Sequence, residues 1–116
     1  MAGKSRLSRS MEFFRDLGYL VEKVEYWNPW DKKTYDLFNI IDAVGIGNNE
    51  IIGIQSCGGS DFAAHDRKIL ASEAAKKWVA GGKLVLIGWR KLKVKRGGKA
   101  ERWSPRLKWY LPSDWK

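Results

Sequence analysis

The sequence predicts a single α/β domain with a mixed sheet flanked by helices. Two short apolar segments meet at the turn sequence Gly47-Asn48-Asn49, and a helical pattern over residues 61–80 lies between two apolar strands. With 44% hydrophobic and 30% charged residues, the composition is ordinary for a folded globular protein. A chain of 116 residues supports one modest core, so we expect one domain over residues 1–116.

The N-terminal third predicts a helix, a strand and a loop. Apolar side chains recur every three or four residues over 5–17, which is typical of an amphipathic helix. Residues 19–27 are rich in Val, Tyr and Trp, which favours a strand. The Asn28-Pro29 pair then predicts a loop over 28–33. The aromatic and basic residues of this loop either contact nucleic acid or cover the edge of the sheet.

The apolar segments around Gly47-Asn48-Asn49 predict a β-hairpin whose strands contain Ile40–Ile46 and Ile51–Ile54. Asp42 interrupts the first apolar segment, and Gln55 ends the second. Burying polar groups in a sheet costs free energy unless they find partners. The two side chains therefore either form a functional site or are satisfied locally, Asp42 by backbone donors and Gln55 by groups at the strand end.

The segment from Asp61 to Ala80 predicts one helix, with Ser60 as its N-cap and Gly81-Gly82 at its end. Arg67 is expected to project from the apolar face near the strand that carries Gln55, with Lys68 about 100° around the helix. The helix N-terminus can also attract a phosphate. The members of this predicted face are Ala63, Arg67, Leu70, Ala71, Ala74 and Trp78.

Residues 83–89 predict a central apolar strand, so residues 50–89 form a βαβ unit whose two strands run parallel. Basic and apolar residues then alternate up to a turn at Gly97-Gly98, and residues 106–112 return as a strand. This basic hairpin suits a nucleic-acid backbone, although lysines can also protect a sheet edge from aggregation. Its candidate nucleic-acid ligands are Arg90, Lys91, Lys93, Lys95, Arg96, Lys99, Arg102, Arg106 and Lys108.

The placement of charge points to a polyanionic partner. Residues 1–82 contain 11 Lys and Arg and 11 Asp and Glu, whereas residues 83–116 contain 11 Lys and Arg but two acids. The whole net charge of +9 therefore lies in the last 34 residues. DNA is the partner that we expect, with binding that weakens as salt rises. A basic tail that binds an acidic protein is a weaker alternative.

Other function classes are disfavoured. Cys57 is the only cysteine and His65 the only histidine, so neither an intramolecular disulfide nor a zinc cluster is expected. Thiol catalysis at Cys57 and a catalytic base at His65 are both disfavoured against packing and surface roles. No apolar run approaches the length of a membrane span, and the N-terminus lacks the apolar region of a signal peptide, so a cytoplasmic location is expected.

The arrangement of Asp42, Gln55 and Cys57 resembles the motif of the PD-(D/E)XK nuclease superfamily, and within it the small phage and archaeal Holliday junction resolvase-like proteins. Asp42 matches the motif's Asp, Gln55 its acidic position, and Cys57 the position of its Lys. The resemblance covers roughly residues 11–89. It implies a restriction-endonuclease-like α-β-β-β-α-β fold and a homodimer that cuts branched or structured DNA with Mg²⁺ or Mn²⁺. It also places Glu12 as a possible further metal ligand.

Two departures from the motif leave the activity open. Gln55 is neutral, although an amide oxygen can still ligate a hard cation. Cys57 cannot supply the motif's ammonium, so the resemblance implies that Lys68 or Arg67 replaces it beside metal ligands Asp42 and Gln55. Asp36 either ligates, assists or caps a turn, and Glu12 is either a ligand or a solvated, paired residue. Without a replacement cation, the same fold would be a degenerate nuclease that binds nucleic acid and does not cut.

Overall fold

The computed structural model describes residues 4–115. Its regular elements, in chain order, are α1 (Arg6–Asp16), β1 (Leu20–Lys23), β2 (Tyr26–Asn28), β3 (Lys33–Tyr35), β4 (Ala43–Gly47), β5 (Glu50–Gly58), α2 (Phe62–Leu70), α3 (Glu73–Gly81), β6 (Lys83–Lys93) and β7 (Glu101–Tyr110), with short 3₁₀ turns at Gly59–Asp61 and Pro112–Trp115. The predicted α/β domain with a mixed sheet flanked by helices is confirmed.

The main sheet has five strands in the order β1-β4-β5-β6-β7. Strands β5 and β6 are parallel, as the βαβ pattern predicts, and the other neighbouring strands are antiparallel. A separate two-stranded ribbon, β2–β3, is inserted between β1 and β4. The topology therefore places the carboxyl end of β5 beside the chain that enters β4.

Each face of the sheet has its own core. Helix α1 covers one face, where Phe14 packs with Val21, Ile52 and Ile87. Helices α2 and α3 cover the other face, where Phe62 belongs to a second cluster. Successive residues of β6 alternate between the two clusters, because strand side chains point to opposite faces. This explains the uninterrupted apolar run at 84–87 and fixes β6 as a central strand.

The predicted β4–β5 hairpin is confirmed, with one difference. Its two loop residues, Asn48 and Asn49, have φ angles of 53° and 63°, the left-handed region that a type I′ hairpin turn requires and that Asn tolerates. The first strand begins at Ala43, however, and not at Ile40. Ile40 and Ile41 are buried in the turn that precedes it. Asp42 consequently lies at the entrance of the strand.

The strand predicted over 19–27 is wrong in its extent. Strand β1 ends at Lys23 and β2 begins at Tyr26, so Val24 and Glu25 separate strands of two different sheets. The Val24 N–H donates to the Asp42 carbonyl at 2.9 Å, which holds this break beside the β4 entrance. The change of sheet at this point is what brings Glu25 towards Asp42.

The single helix predicted over 61–80 is also wrong, because the chain forms α2 and α3 with a break at Ala71–Ser72. The Ser72 hydroxyl accepts a hydrogen bond from the Ala75 N–H at 3.1 Å and so caps a new helix start. The expected Ser60 cap is absent, since α2 starts after Asp61 without a side-chain cap. The buried residues of the two helices are Phe62, Ile69, Ala75 and Val79.

The C-terminal basic hairpin is confirmed in outline, with longer strands. Strand β6 continues without interruption to Lys93, and β7 returns over Glu101–Tyr110 where the sequence predicts 106–112. The turn includes Gly97, whose φ is 77°. None of the helices between residues 4 and 115 combines the length and the apolar character needed to cross a bilayer.

Candidate metal centre and its cleft

A cleft of about 710 Å³ lies at the carboxyl end of β5. Six parts of the chain meet there: the start of α1, the two ends of the β2–β3 ribbon, the β4 entrance, the end of β5 and the first turn of α2. Trp103 of β7 completes the wall. Ligand sites of α/β sheets occur at the carboxyl ends of strands, so this position is typical of a functional site.

Three carboxylates converge in the cleft. Glu25 precedes β2, Asp36 follows β3, and Asp42 precedes β4. One carboxylate oxygen from each residue lies within 4.8 Å of the other two. Asp42 is buried, and Glu25 and Asp36 are half-buried. The β2–β3 register explains the convergence, because Tyr26 pairs with Tyr35 and the acids flank that pair directly.

The electrostatics of the three carboxylates are unfavourable in the absence of a cation. Burial raises the pKa of Asp42 to about 8, with further contributions from its contact with Asp36 and from the charge of Glu25. Burial also raises the pKa of Glu25, and the charge of Asp36 adds to that rise. Like charges that share a partly desolvated site oppose one another's ionisation. A divalent cation between them would remove that opposition.

Two donors fix the Asp42 carboxylate. The Gln55 amide Nε2 and the Ser56 backbone N–H both donate to Oδ2, each at 2.9 Å. Asp42 and Gln55 are therefore in direct contact. The Ser56 bond opposes the rise of the Asp42 pKa, but burial outweighs it. Asp42 is thus held in one orientation by the strand that carries Gln55.

The other end of the Gln55 amide has no partner. Gln55 is only 2% exposed, and its Oε1 accepts no hydrogen bond from any described residue between 4 and 115. An unpaired buried amide oxygen costs free energy, typically about 1–3 kcal/mol. The Nε2 of the same amide is bonded to Asp42, and Gln55 lines the cleft. Its Oε1 is an oxygen of the kind that hard cations bind.

The Lys and Arg side chains that line the cleft lie at the start of α1 or just before it. Arg6 and Lys4 both line the cleft. The Arg6 guanidinium lies against Gly58, so closely that a Cβ added to Gly58 would come within 3.0 Å of Arg6 Cζ. Lys4 Nζ is paired with a Glu12 carboxylate oxygen at 2.7 Å, which leaves Arg6 as the cation beside the end of β5.

Several predicted residues do not join this site. Glu12 is half exposed and bonded to Lys4, and it does not line the cleft. Arg67 and Lys68 are exposed on α2 and are likewise not among the described residues of the cleft. The expectation that Arg67 projects from the apolar face is wrong, because the buried residues of α2 are Phe62 and Ile69 and the Arg67 side chain is exposed.

Glu25 and Arg6 were missed by sequence reasoning. The signal for Glu25 was the repeat of acid and tyrosine at Glu25-Tyr26 and Tyr35-Asp36, which a hairpin centred on Trp30-Asp31 would have brought together. Arg6 carries no such signal, because its position depends on how α1 packs on the sheet. Asp36 was one of the predicted candidates, and the structure places it in the cluster.

Cys57 and His65 both line the cleft. Cys57 is buried, and burial raises the pKa of its thiol to about 11, so the thiolate that nucleophilic catalysis needs is disfavoured. The half-buried His65 has an Nδ1 without a hydrogen-bond partner among residues 4–115. The geometry favours the packing role predicted for Cys57.

The basic hairpin approaches the cleft through Trp103. Arg9 Cζ lies 4.6 Å and Lys91 Nζ 5.2 Å from the centroid of the Trp103 ring. Lys108 is held by Asp66 at 2.9 Å, and Arg106 stacks on Phe62, so these two predicted nucleic-acid ligands have internal partners. The other predicted ligands are exposed: Arg90, Lys91, Lys93, Lys95, Arg96, Lys99 and Arg102.

Comparisons with protein-family models, curated proteins and solved structures found no match.

Proposed function

We propose that this protein is a Mg²⁺-dependent endonuclease that acts on branched or otherwise structured DNA. The observation that carries the proposal is the convergence of the Glu25, Asp36 and Asp42 carboxylates beside the buried Gln55 amide, with the Arg6 cation in the same cleft. The resemblance of Asp42 and Gln55 to the PD-(D/E)XK motif supports the same activity. The whole excess of positive charge in residues 83–116 supports DNA as the partner.

The donor set fits Mg²⁺ or Mn²⁺. These ions prefer carboxylate and carbonyl oxygens, and they are commonly held by one or two carboxylates together with substrate phosphates and water. Asp42, Asp36, Glu25 and Gln55 supply such oxygens. A bound ion lowers the pKa of water and neutralises charge on a phosphate, which is the chemistry that phosphodiester hydrolysis needs.

The residues of the chain then have distinct roles. Asp42 is held by Gln55 and Ser56, so it is the fixed ligand around which the other two acids arrange. Arg6 is the cation that contacts the scissile phosphate, in place of the ammonium missing at Cys57. Arg suits this role because its planar guanidinium binds phosphate oxygens in a bidentate manner. The enzyme acts as a homodimer, since two symmetric cuts in a junction require two sites.

The decisive experiment is cleavage of end-labelled four-way-junction, duplex and single-stranded DNA with Mg²⁺, with Mn²⁺ and with EDTA. Metal-dependent cleavage of the junction in preference to the duplex is the expected result. Equal cleavage with and without EDTA would contradict the metal site. Cleavage of duplex and junction at the same rate would contradict the proposed substrate class.

A second candidate is a nuclease-fold protein that binds nucleic acid and does not cut. The neutral Gln55 and the buried Cys57 thiol, which stand where an acid and an ammonium are expected, favour it. In that case, DNA is bound with a steep salt dependence, and no substrate is cut at any metal concentration. The same assays therefore separate the two candidates.

Binding of Mg²⁺ is expected to raise the melting temperature more at pH 8 than at pH 5.5. Without metal, the folded protein keeps the Asp42 proton up to a pKa of about 8, whereas the unfolded chain releases it near its ordinary value of 3.8. The contribution of Asp42 to the free energy of unfolding therefore falls as pH rises through that window. A bound cation favours the ionised form of Asp42. It therefore counteracts this loss of stability most at high pH, where Asp42 has released its proton.

Differential scanning fluorimetry with MgCl₂ against NaCl of equal ionic strength measures this effect. The NaCl series separates binding at the site from screening of the net charge. A shift that is equal at both pH values, or equal with NaCl, would contradict the assignment of the metal to Asp42.

Replacing Lys93 and Lys95 by Gln is expected to weaken DNA binding and to flatten its salt dependence. Both side chains are exposed on the basic hairpin. Each lost phosphate contact reduces the slope of log K against log salt by about 0.9. Fluorescence anisotropy at salt concentrations from about 50 to 200 mM measures the change in this slope. The matched control is Lys76→Gln on the exposed side of α3, which should leave the slope unchanged.

A further inference from the structure

The β2–β3 ribbon is an arm that starts and ends at the candidate metal centre. Glu25 immediately precedes β2 and Asp36 immediately follows β3, and both belong to the carboxylate cluster. Within residues 4–115, the ribbon pairs only with itself, in a separate two-stranded sheet. The backbone therefore connects both ends of the arm directly to residues of the site.

The arm exposes an unusual amount of aromatic surface. Trp30 at its tip is 93% exposed, and Trp27 and Tyr26 are each more than half exposed. Of the two roles predicted for this loop, covering the sheet edge is excluded, because an aromatic ring that covered the edge would be buried. Large apolar side chains at such exposure mark an interaction site when they lie close together.

The tip is ordered by its own hydrogen bonds. The Asn28 side chain accepts from the Trp30 N–H at 2.9 Å, and the Asn28 carbonyl accepts from the Lys32 N–H at 2.8 Å. The Asp31 side chain accepts from the Lys33 N–H at 3.2 Å. These bonds hold the backbone of the turn in a defined conformation, from which the Trp30 side chain projects into solvent.

One face of the arm borders the cleft. Thr34 lines the cleft, and its cross-strand partner is Trp27. Directly paired residues of antiparallel strands project from the same face, so the face that carries Trp27 is the face next to the site. On the other face, Tyr26 and Tyr35 stack with ring centroids 5.6 Å apart and stiffen the ribbon.

We infer that the β2–β3 arm binds unpaired nucleobases of the substrate by stacking on Trp30 and Trp27. Every base has a flat face that stacks on an indole ring, and the exposed Lys32 and Lys33 match the adjoining phosphates. This inference deepens the proposed function: it rests on the nucleic-acid partner and does not require cleavage. It makes exposed, unstacked nucleotides at a branch or flap the feature that the protein selects.

The test is binding in EDTA, which prevents cleavage and so separates this inference from the nuclease activity. Fluorescence anisotropy compares a single strand, a duplex with an unpaired flap and a fully paired duplex for the wild type and for Trp30→Leu and Trp30→Phe. Trp30→Leu is expected to weaken binding to the single strand and the flap by about 5- to 150-fold, the range for loss of one stacked base. Binding to the paired duplex should change less than about twofold.

Trp30→Phe retains an aromatic face and should keep most of the affinity for unpaired DNA, whereas Trp30→Leu retains only apolar area. Trp27→Leu should repeat the pattern on the cleft-facing side of the arm. Equal losses on paired and unpaired DNA, equal losses for Leu and Phe, or no loss for any variant would overturn the inference. No loss would assign the arm to a protein partner. If the Trp variants lose affinity for unpaired DNA as expected but the wild type shows no metal-dependent cleavage, the result would support base stacking on the arm and contradict only the nuclease proposal.

Discussion

Replacing Asp42 by Asn is expected to remove metal-dependent cleavage while the metal-free protein keeps or gains thermal stability. Asn retains a side-chain oxygen that can accept from the Ser56 N–H and the Gln55 amide, so the local fold is preserved. It removes the buried carboxyl whose pKa is raised to about 8. The variant therefore no longer loses stability through this group as pH rises towards that value. Opposite effects on activity and stability distinguish a functional carboxylate from a structural one.

The expected loss of cleavage rate exceeds about 100-fold, because even residues that only orient a metal ligand typically cost 10- to 100-fold in affinity or activity. Single-turnover cleavage of the preferred DNA measures it, and the melting temperature without metal is measured on the same protein. The Mg²⁺-induced rise in melting temperature should also disappear. A variant that melts well below the wild type and cuts at the wild-type rate would show that Asp42 is structural.

Glu12→Gln is the informative comparison for this variant. Of the two roles predicted for Glu12, a metal ligand or a solvated, paired residue, the structure shows the pairing, with Lys4, and assembles the carboxylates from Glu25, Asp36 and Asp42. Glu12→Gln should therefore retain most of the activity. A loss as large as that of Asp42→Asn would instead place the α1 carboxylate at the metal.

The parts of the site that could be predicted are those set by local pattern. The hairpin around Asn48-Asn49 follows from residues that tolerate positive φ, and it forces Asp42 and Gln55 onto adjacent strands. Their contact at 2.9 Å is thus a consequence of register, which the sequence encodes within fifteen residues. The basic hairpin was predictable for the same reason, because its charge alternation and its turn lie together in the chain.

The parts that could not be predicted depend on tertiary packing. The boundary between α2 and α3 is decided by the Ser72 cap, which competes with a sequence of otherwise good helix formers. Arg67 is exposed on α2, whose buried residues are Phe62 and Ile69, so the cation predicted from helical periodicity was wrong in position. Arg6 lies about fifty residues before the end of β5 in the sequence. Helix α1 brings it there because Phe14 is buried against the sheet.

Arg6→Ala is expected to lower the maximal cleavage rate by about 100- to 1,000-fold, the typical cost of removing one group that stabilises charge in a transition state. DNA affinity should fall much less, because the many exposed cations of the basic hairpin remain. The fold should be retained, since Arg6 is an exposed first-turn residue of α1 and Ala is a good helix former. Single-turnover rates at saturating DNA measure the loss separately from binding.

The matched controls are Arg67→Ala and Lys68→Ala, the cations that the sequence predicts for the same role. Both side chains are exposed on α2 outside the described cleft, so we expect rates close to the wild type. Arg6→Lys should recover part of the rate, because the charge returns without the bidentate geometry. The reverse outcome, with loss in the α2 variants and none in Arg6→Ala, would return the role to α2.

Gly58→Ala tests the position of the Arg6 guanidinium without removing its charge. A Cβ at Gly58 would lie 3.0 Å from both Arg6 Cζ and Arg6 Nε, a contact tight enough to push aside the end of this flexible side chain. The sheet itself need not move, so the melting temperature should change little. If Arg6 acts on the phosphate, Gly58→Ala lowers the rate to a value between those of Arg6→Ala and the wild type. If Arg6 only adds to the general attraction for DNA, Gly58→Ala cuts at the wild-type rate.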